Sequence, residues 1–231
     1  MSETRSRVWY AAYGSNTHAE RLDYYLAGGC PPGAAWAFPG CRDPRPPERS
    51  VALLLPGRVY FATDSPVWRG GRAFYDPAAD GTARGVAHLL TVGQFSDIAA
   101  QEMYREPGQD LDLSEVLAAG RCSLGPGRYE TLVCPGLLDG LPVLTFTAPW
   151  PMPEEDSGEL RKPSAAYLRQ LAAGLNLAGT WRPADTAAYL ADCPGAAGHW
   201  TPEDVAALSV PPAPTGLPGP PSRCRPDPRR S

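Results

Sequence analysis

RVWYAAYGSNTHAERLDYYLAGG, residues 7–29, sets the start of the architecture. RVWYAAY is rich in aromatic residues and Val, and predicts a strand over 7–13. Gly14, Ser15 and Asn16 then break the pattern. Thr17 and Glu20 have capping-box spacing, which predicts a helix start. Leu22, Tyr25 and Leu26 give that helix one apolar face, and Gly28–Gly29 end it. Gly14 permits a positive φ and Asn16 tolerates one. Successive N–H groups can then converge beside the positive end of the helix, a geometry that suits a carboxylate or oxyanion. A plain strand–helix turn is the competing reading of the same residues. No GxGxxG or GK[ST] phosphate loop is present.

Downstream, VALLL (51–55) and RVYFAT (58–63) flank Pro56–Gly57 and read as a hairpin. GRAFYD (71–76) and ARGVAHLLT (83–91) predict two more strands. Thr91 and Gln94 predict the capped start of a helix over 92–105. RYETLVC (128–134) and LPVLTFT (141–147) form a second expected hairpin around LLDG. SAAYLRQLAAGL has helical spacing behind Pro163, and two short helices are expected near 184–191 and 202–208.

The chain has 231 residues, with 28 Pro beside 24 Gly. Because Pro costs about 3 kcal/mol inside a helix, long helices and coiled coils are excluded. Hydrophobic residues make up 43% and charged residues 20%, a globular composition. The net charge of −4 argues against a nucleic-acid binder. No run approaches a membrane span and the start lacks a signal-peptide pattern, so a cytoplasmic, non-membrane protein is expected. Six widely spaced Cys without a CxxC pair are read as reduced thiols. Residues 211–231 hold eight Pro and four Arg and are expected to be a disordered tail. That leaves one domain over 1–210, with a body charge near −7.

Phe95, Ile98, Ala99 and Met103 mark one face of the helix after Thr91. Glu102 completes that stripe. A carboxylate on an apolar face is costly unless paired or protonated, and desolvation raises its pKa toward the range of a general acid or base. An edge position paired with an Arg is the bland alternative. Asp97 and Glu106 fall off the stripe and read as solvent-facing. The acidic run at 154–159 reads as a solvated loop, and Trp68 as core. His18, His88 and His199 lack metal-ligand spacing, and no metal site is expected.

Taken together and in order, four segments resemble the gamma-glutamylcyclotransferase-like superfamily. They are YAAYGSN, VWRGGRAF (67–74), ARGVAHLLT with the acidic position at Glu102, and KPSAAYLRQLAAGLNLAG with its Tyr at Tyr167. Thr17 stands where Leu is common in that family. Gln109 occupies a position that is often Tyr, and the nearest Tyr is Tyr104. The resemblance implies an α+β fold, a small mixed β-barrel with flanking helices. It implies ring closure of a γ-glutamyl amine, amino acid or peptide to 5-oxoproline, without metal or organic cofactor. Glu102 would be the general acid/base. Tyr13, Gly14, Ser15, Asn16, Thr17, Tyr104 and Tyr167 would bind the small-molecule substrate. A silent small-carboxylate-binding module and a related amide-cleaving or acyl-transfer enzyme are the alternatives.

Overall fold

In a computed structural model, residues 6–31 and 37–209 are described, and β1 (Arg7–Ala12) runs through the middle of the main sheet. β1 pairs antiparallel with β5 (Thr82–Thr91) and parallel with β8 (Leu141–Thr147). β2 (Arg49–Pro56) lies outside β5, while β7 (Thr131–Leu138) and β6 (Arg121–Ser123) lie beyond β8. The order is β2–β5–β1–β8–β7–β6, with β3 (Arg58–Ser65) and β4 (Gly70–Asp76) as a separate two-stranded sheet.

The helices flank this sheet. They are α1 (Ala19–Leu26), α2 (Val92–Glu102), α3 (Ser114–Ala119), α4 (Ala165–Leu177), α5 (Pro183–Asp192) and α6 (Pro202–Leu208). The α+β class with flanking helices is therefore observed. A closed barrel is not: among the described residues no backbone ladder joins the two sheets. β4 meets β8 instead through one side chain. Thr147 Oγ1 accepts from Tyr75 N at 3.0 Å and donates to Tyr75 O at 2.7 Å.

Alternation along β1 divides the core. Trp9, Ala11 and Tyr13 face the β3–β4 hairpin and α4–α6, whereas Val8, Tyr10 and Ala12 face α1, α2 and α3. A strand buried on both faces reads as a continuous apolar run, as RVWYAAY does. Each large side chain removed from water here contributes roughly 1.5–3 kcal/mol.

Pro56–Gly57 does not close a hairpin. β2 pairs with β5 from Arg49↔Leu89 to Pro56↔Thr82, and β3 pairs with β4. Burial explains the split. Val59, Tyr60, Phe61 and Ala62 are all buried, so β3 needs cover on both faces, while β2 is exposed or half-exposed everywhere but Leu55 and serves as an edge. Gly57 turns the chain between the sheets with φ +98°, and a Cβ there would stand 2.1 Å from Asp76 O.

The hairpin of β7 and β8 forms as expected, turning at Asp139 and Gly140, both with positive φ. Thr91 and Gln94 form the expected capping box of α2. Thr17 caps nothing. Its hydroxyl donates to Gly14 O at 2.9 Å within a 3-10 turn (Ser15–Thr17), and α1 starts after His18. Asp97 is buried rather than solvent-facing. Its carboxylate accepts from Arg42 N and Nε and from Gly108 N. Cys41, Cys122, Cys134 and Cys193 are free thiols, whereas Cys30 is disulfide-bonded, against the expectation of reduced thiols. No described helix is long and apolar enough to cross a membrane. The expected tail, 211–231, lies outside the described residues.

Candidate active site

The loop after β1, the last turn of α2, the start of β4 and the first turns of α1 and α4 enclose a cavity of about 360 Å³. Glu102 ends α2 and is half-buried in the cavity wall. The stripe places it there: Phe95, Ile98 and Ala99 are fully buried, so the next position on that face must meet the protein interior. Burial pushes the Glu102 carboxyl up. A hydrogen bond from Tyr25 and the guanidiniums of Arg21, Arg128 and Arg72 oppose that rise without cancelling it.

Asn16 links the loop to this carboxylate. Its Nδ2 donates to Tyr10 Oη at 3.2 Å and reaches Glu102 Oε1 at 3.5 Å. Its Oδ1 is buried without a partner. Its backbone carbonyl lies 3.0 Å from His88 Nε2, and Ser50 Oγ lies 2.8 Å from His88 Nδ1. Burial lowers the His88 pKa to about 4, so the ring is neutral and carries one N–H. His88 thus fixes the loop from the β5 side.

Gly14 and Ser15 also line the cavity. Gly14 has φ −106°, so the expected left-handed nest does not form. What the position needs is the missing side chain: a Cβ would stand 3.3 Å from Tyr167 Oη. The first N–H groups of a helical turn lack partners within the turn, so the 3-10 turn still offers the Gly14–Asn16 amides as donors.

Tyr167, on α4, accepts from Ala73 N at 3.3 Å, and Tyr129 donates to Ala73 O at 2.9 Å. The two hydroxyls thereby tie both polar groups of one β4 residue to the cavity. Tyr13 contributes its ring to the lining, but its hydroxyl donates to Phe146 O at 2.7 Å. Tyr104 lines the cavity in a left-handed conformation with φ +57°, and the Arg128 guanidinium lies 4.7 Å from its ring centroid. Burial raises the pKa of Tyr10, Tyr25, Tyr129 and Tyr167, so all four hydroxyls keep their protons.

Seven of the eight expected site residues thus meet in one cavity. Thr17 is outside the lining: it is buried, and α4 approaches it so closely that a Cβ on Gly174 would stand 2.3 Å from its Oγ1. Trp68, expected in the core, is half-buried and stacks on Tyr167 with centroids 4.9 Å apart. The exposed acidic residues at 154–156 and 159 take no part. Sequence reading missed Tyr10, Arg21, Tyr25, Arg72 and Tyr129. Arg72 had a usable signal. It is a cation inside a strand whose other residues from Gly71 to Asp76 are buried, the strand counterpart of Glu102 on its apolar stripe.

No group of three or more His, Cys, Asp or Glu among the described residues is placed to hold a metal ion. No protein-family model matches the chain. The chain is 31% identical over 198 residues to "Histone deacetylase 5" from Arabidopsis thaliana. That match covers 79% of this chain but 30% of the relative, so the chain spans less than a third of that protein's length. Two solved structures are similar over 87% of this chain and 99% of their own, each at 14% identity. One is an uncharacterized protein from Homo sapiens, with TM-score 0.47, and the other a "Gamma-glutamyl cyclotransferase", with TM-score 0.43.

Proposed function

We propose that the chain is a cyclotransferase that releases 5-oxoproline from γ-glutamyl compounds. The observation that carries this reading is the meeting of Glu102, with its raised pKa, and the Gly14–Asn16 loop across one small cavity. The order of the four sequence motifs supports it, because the residues they single out line the same space.

In this reading the substrate supplies its own nucleophile, and binding it folded settles most of the entropy of ring closure. Glu102 and the free Asn16 Oδ1 receive the α-ammonium, and Glu102 takes one proton from it. The freed amine attacks the γ-carbonyl carbon, forming the ring C–N bond and an oxyanion. The loop amides hold the substrate's negative charge, as preorganised donors do. The second C–N bond then breaks as Glu102 returns its proton to the leaving nitrogen; Glu102 next takes the extra proton still on the ring nitrogen and passes it to the departing amine, which leaves as an ammonium. No water is consumed and Glu102 ends as it began. Tyr167 and Trp68 shape the wall against the glutamyl carbons.

A mass-spectrometric screen of γ-glutamyl amines, dipeptides and glutathione for 5-oxoproline tests the proposal. Release from at least one compound class is expected. Tight binding of these compounds without release would leave a silent small-carboxylate-binding module on this scaffold.

A further inference from the structure

We propose that β2 is a self-association edge, on which a second copy of this chain adds its own β2 antiparallel, centred on Leu53. The proposal does not rest on the cyclotransferase reading.

β2 is the outer strand of the main sheet, and among the described residues its ladder runs to β5 alone. The register is unbroken from Arg49 to Pro56, so no bulge twists this edge away. Among the described residues, no main-chain hydrogen bond from 50–56 leaves the sheet, and the one side chain on the strand's backbone is Tyr75, whose Oη donates to Pro56 O. The outward N–H and C=O groups therefore stand open. From Ser50 to Leu55 the strand reads SVALLL, without a charge. Leu54 is 58% exposed, and Ala52 and Leu53 are half-exposed. Proteins guard such edges with charges, bulges or Pro, because an open apolar strand pairs with any strand that reaches it. Here Pro56 stands only at the far end, so the strand itself is left able to pair.

Charge selects a second copy as the occupant and fixes the register. A two-fold axis perpendicular to the sheet keeps each face on its own side, so opposed residues come from the same face. Centres at Ala52, Leu53 and Leu54 keep most of the strand paired. Centring on Leu53 sets Val51 opposite Leu55, Ala52 opposite Leu54, and Glu48 opposite Arg58 of the second copy, at both ends. Centring on Ala52 sets Glu48 against Pro56, and centring on Leu54 sets it against Tyr60. Leu53 is thus the centre that matches opposite charges, with Arg58 reaching back from just past the Gly57 turn. The Glu48 and Arg58 side chains are 46% and 31% exposed, and their pairs with Arg7 and Asp192 are surface pairs of small worth. One strand pair buries less than the roughly 1,200 Å² of a stable interface, so the dimer is a weak one. It reaches the site through Ser50, whose Oγ lies 2.8 Å from His88 Nδ1.

The test is sedimentation velocity of the full chain from about 1 to 300 µM, a range that brackets a weak dimer. It is repeated with Leu54→Lys, with Glu48→Arg, and with Glu48→Arg combined with Arg58→Glu, after thermal melting shows that each is folded. The parent should pass from monomer to dimer within this range. A Lys on the edge, or a like-charge pair at both ends, should weaken the dimer about 10-fold, and the double reversal should bring it back within about 3-fold of the parent. If the double variant does not fold, amide hydrogen exchange of the parent decides. Alternate β2 amides should exchange more slowly as concentration rises. A chain that stays monomeric throughout, with β2 amides exchanging at one rate, leaves the edge to another occupant and overturns the proposal. A dimer indifferent to Leu54→Lys overturns it too, as does a folded double variant no tighter than Glu48→Arg.

Discussion

Asn16 Nδ2 reaches Glu102 Oε1 across 3.5 Å, joining the loop after β1 to the last turn of α2. The two residues are 86 positions apart, and neither element builds a reactive site alone. The loop supplies donors and the helix supplies a carboxyl group held in an unfavourable place. The central strand and its neighbour β5 bring them together. Everything proposed about chemistry depends on this contact.

The pH dependence follows from the direction of the Glu102 shift. Burial raises its pKa above the ordinary 4.5, so the folded state favours the neutral form. The stability Glu102 allows is therefore full below 4.5 and falls as pH rises through the folded value. Glu102→Gln should melt higher than the parent, by a margin that widens with pH across that window. The base form is the deprotonated one, so kcat/KM of the parent should climb through the same window. Parallel melting curves for parent and variant at every pH would contradict the buried placement.

His88 has the opposite linkage. Its folded pKa of about 4 lies below the ordinary 6.5, so the unfolded chain binds the extra proton between those values. Stability should fall as pH drops from 6.5 to 4, by about 3 kcal/mol at the bottom of the window. His88→Phe should remove most of that slope. It should also free Asn16 O and raise KM more than it lowers kcat. A variant with the parent's acid slope would show that another group is responsible.

Gly14 and Tyr167 should be coupled. A Cβ at 3.3 Å from Tyr167 Oη forces one of them to move. Gly14→Ala should cost about 1–2 kcal/mol of stability or ligand binding, as overpacking does. Adding Tyr167→Phe should recover part of that loss. Strict additivity of the two changes in a double-mutant cycle would mean that they do not touch.

Gly71 tests the β4 side of the fold. Its N–H donates to Lys162 O at 2.8 Å, and a Cβ would fall 2.1 Å from Arg161 O. That atom is backbone, so it cannot swing away. Gly71→Ala should lower stability by about 3 kcal/mol or more and lower the thermal midpoint accordingly. A change within about 0.5 kcal/mol would show that segment 161–163 does not press on the strand.

Much of this site was legible in the sequence. Glu102 announced itself as a charge on an apolar stripe, and Thr91–Gln94 fixed where that helix begins. The YGSN loop was legible as a donor turn, although Gly14 serves through its missing side chain rather than a left-handed φ. Pairing between distant strands was not legible. Pro56–Gly57 looks like any hairpin turn, and only the burial of Val59–Ala62 on both faces sends β3 to β4. Tyr10, Tyr25 and Tyr129 were missed for a similar reason. A buried Tyr in a strand or on a helix face looks the same whether it packs in the core or at a cavity edge. The convergence of Arg21 and Arg72 is set by α1 lying across from β4, which local spacing does not encode.

The central claim is that Glu102 moves the protons of ring closure. Its most direct test is 5-oxoproline release by the parent chain and by Glu102→Gln, on one γ-glutamyl compound that both bind. The account predicts that Glu102→Gln still binds the compound, while turnover at saturating substrate falls at least about 100-fold, in the range of general acid–base catalysis. Turnover by Glu102→Gln near the parent's rate would contradict it.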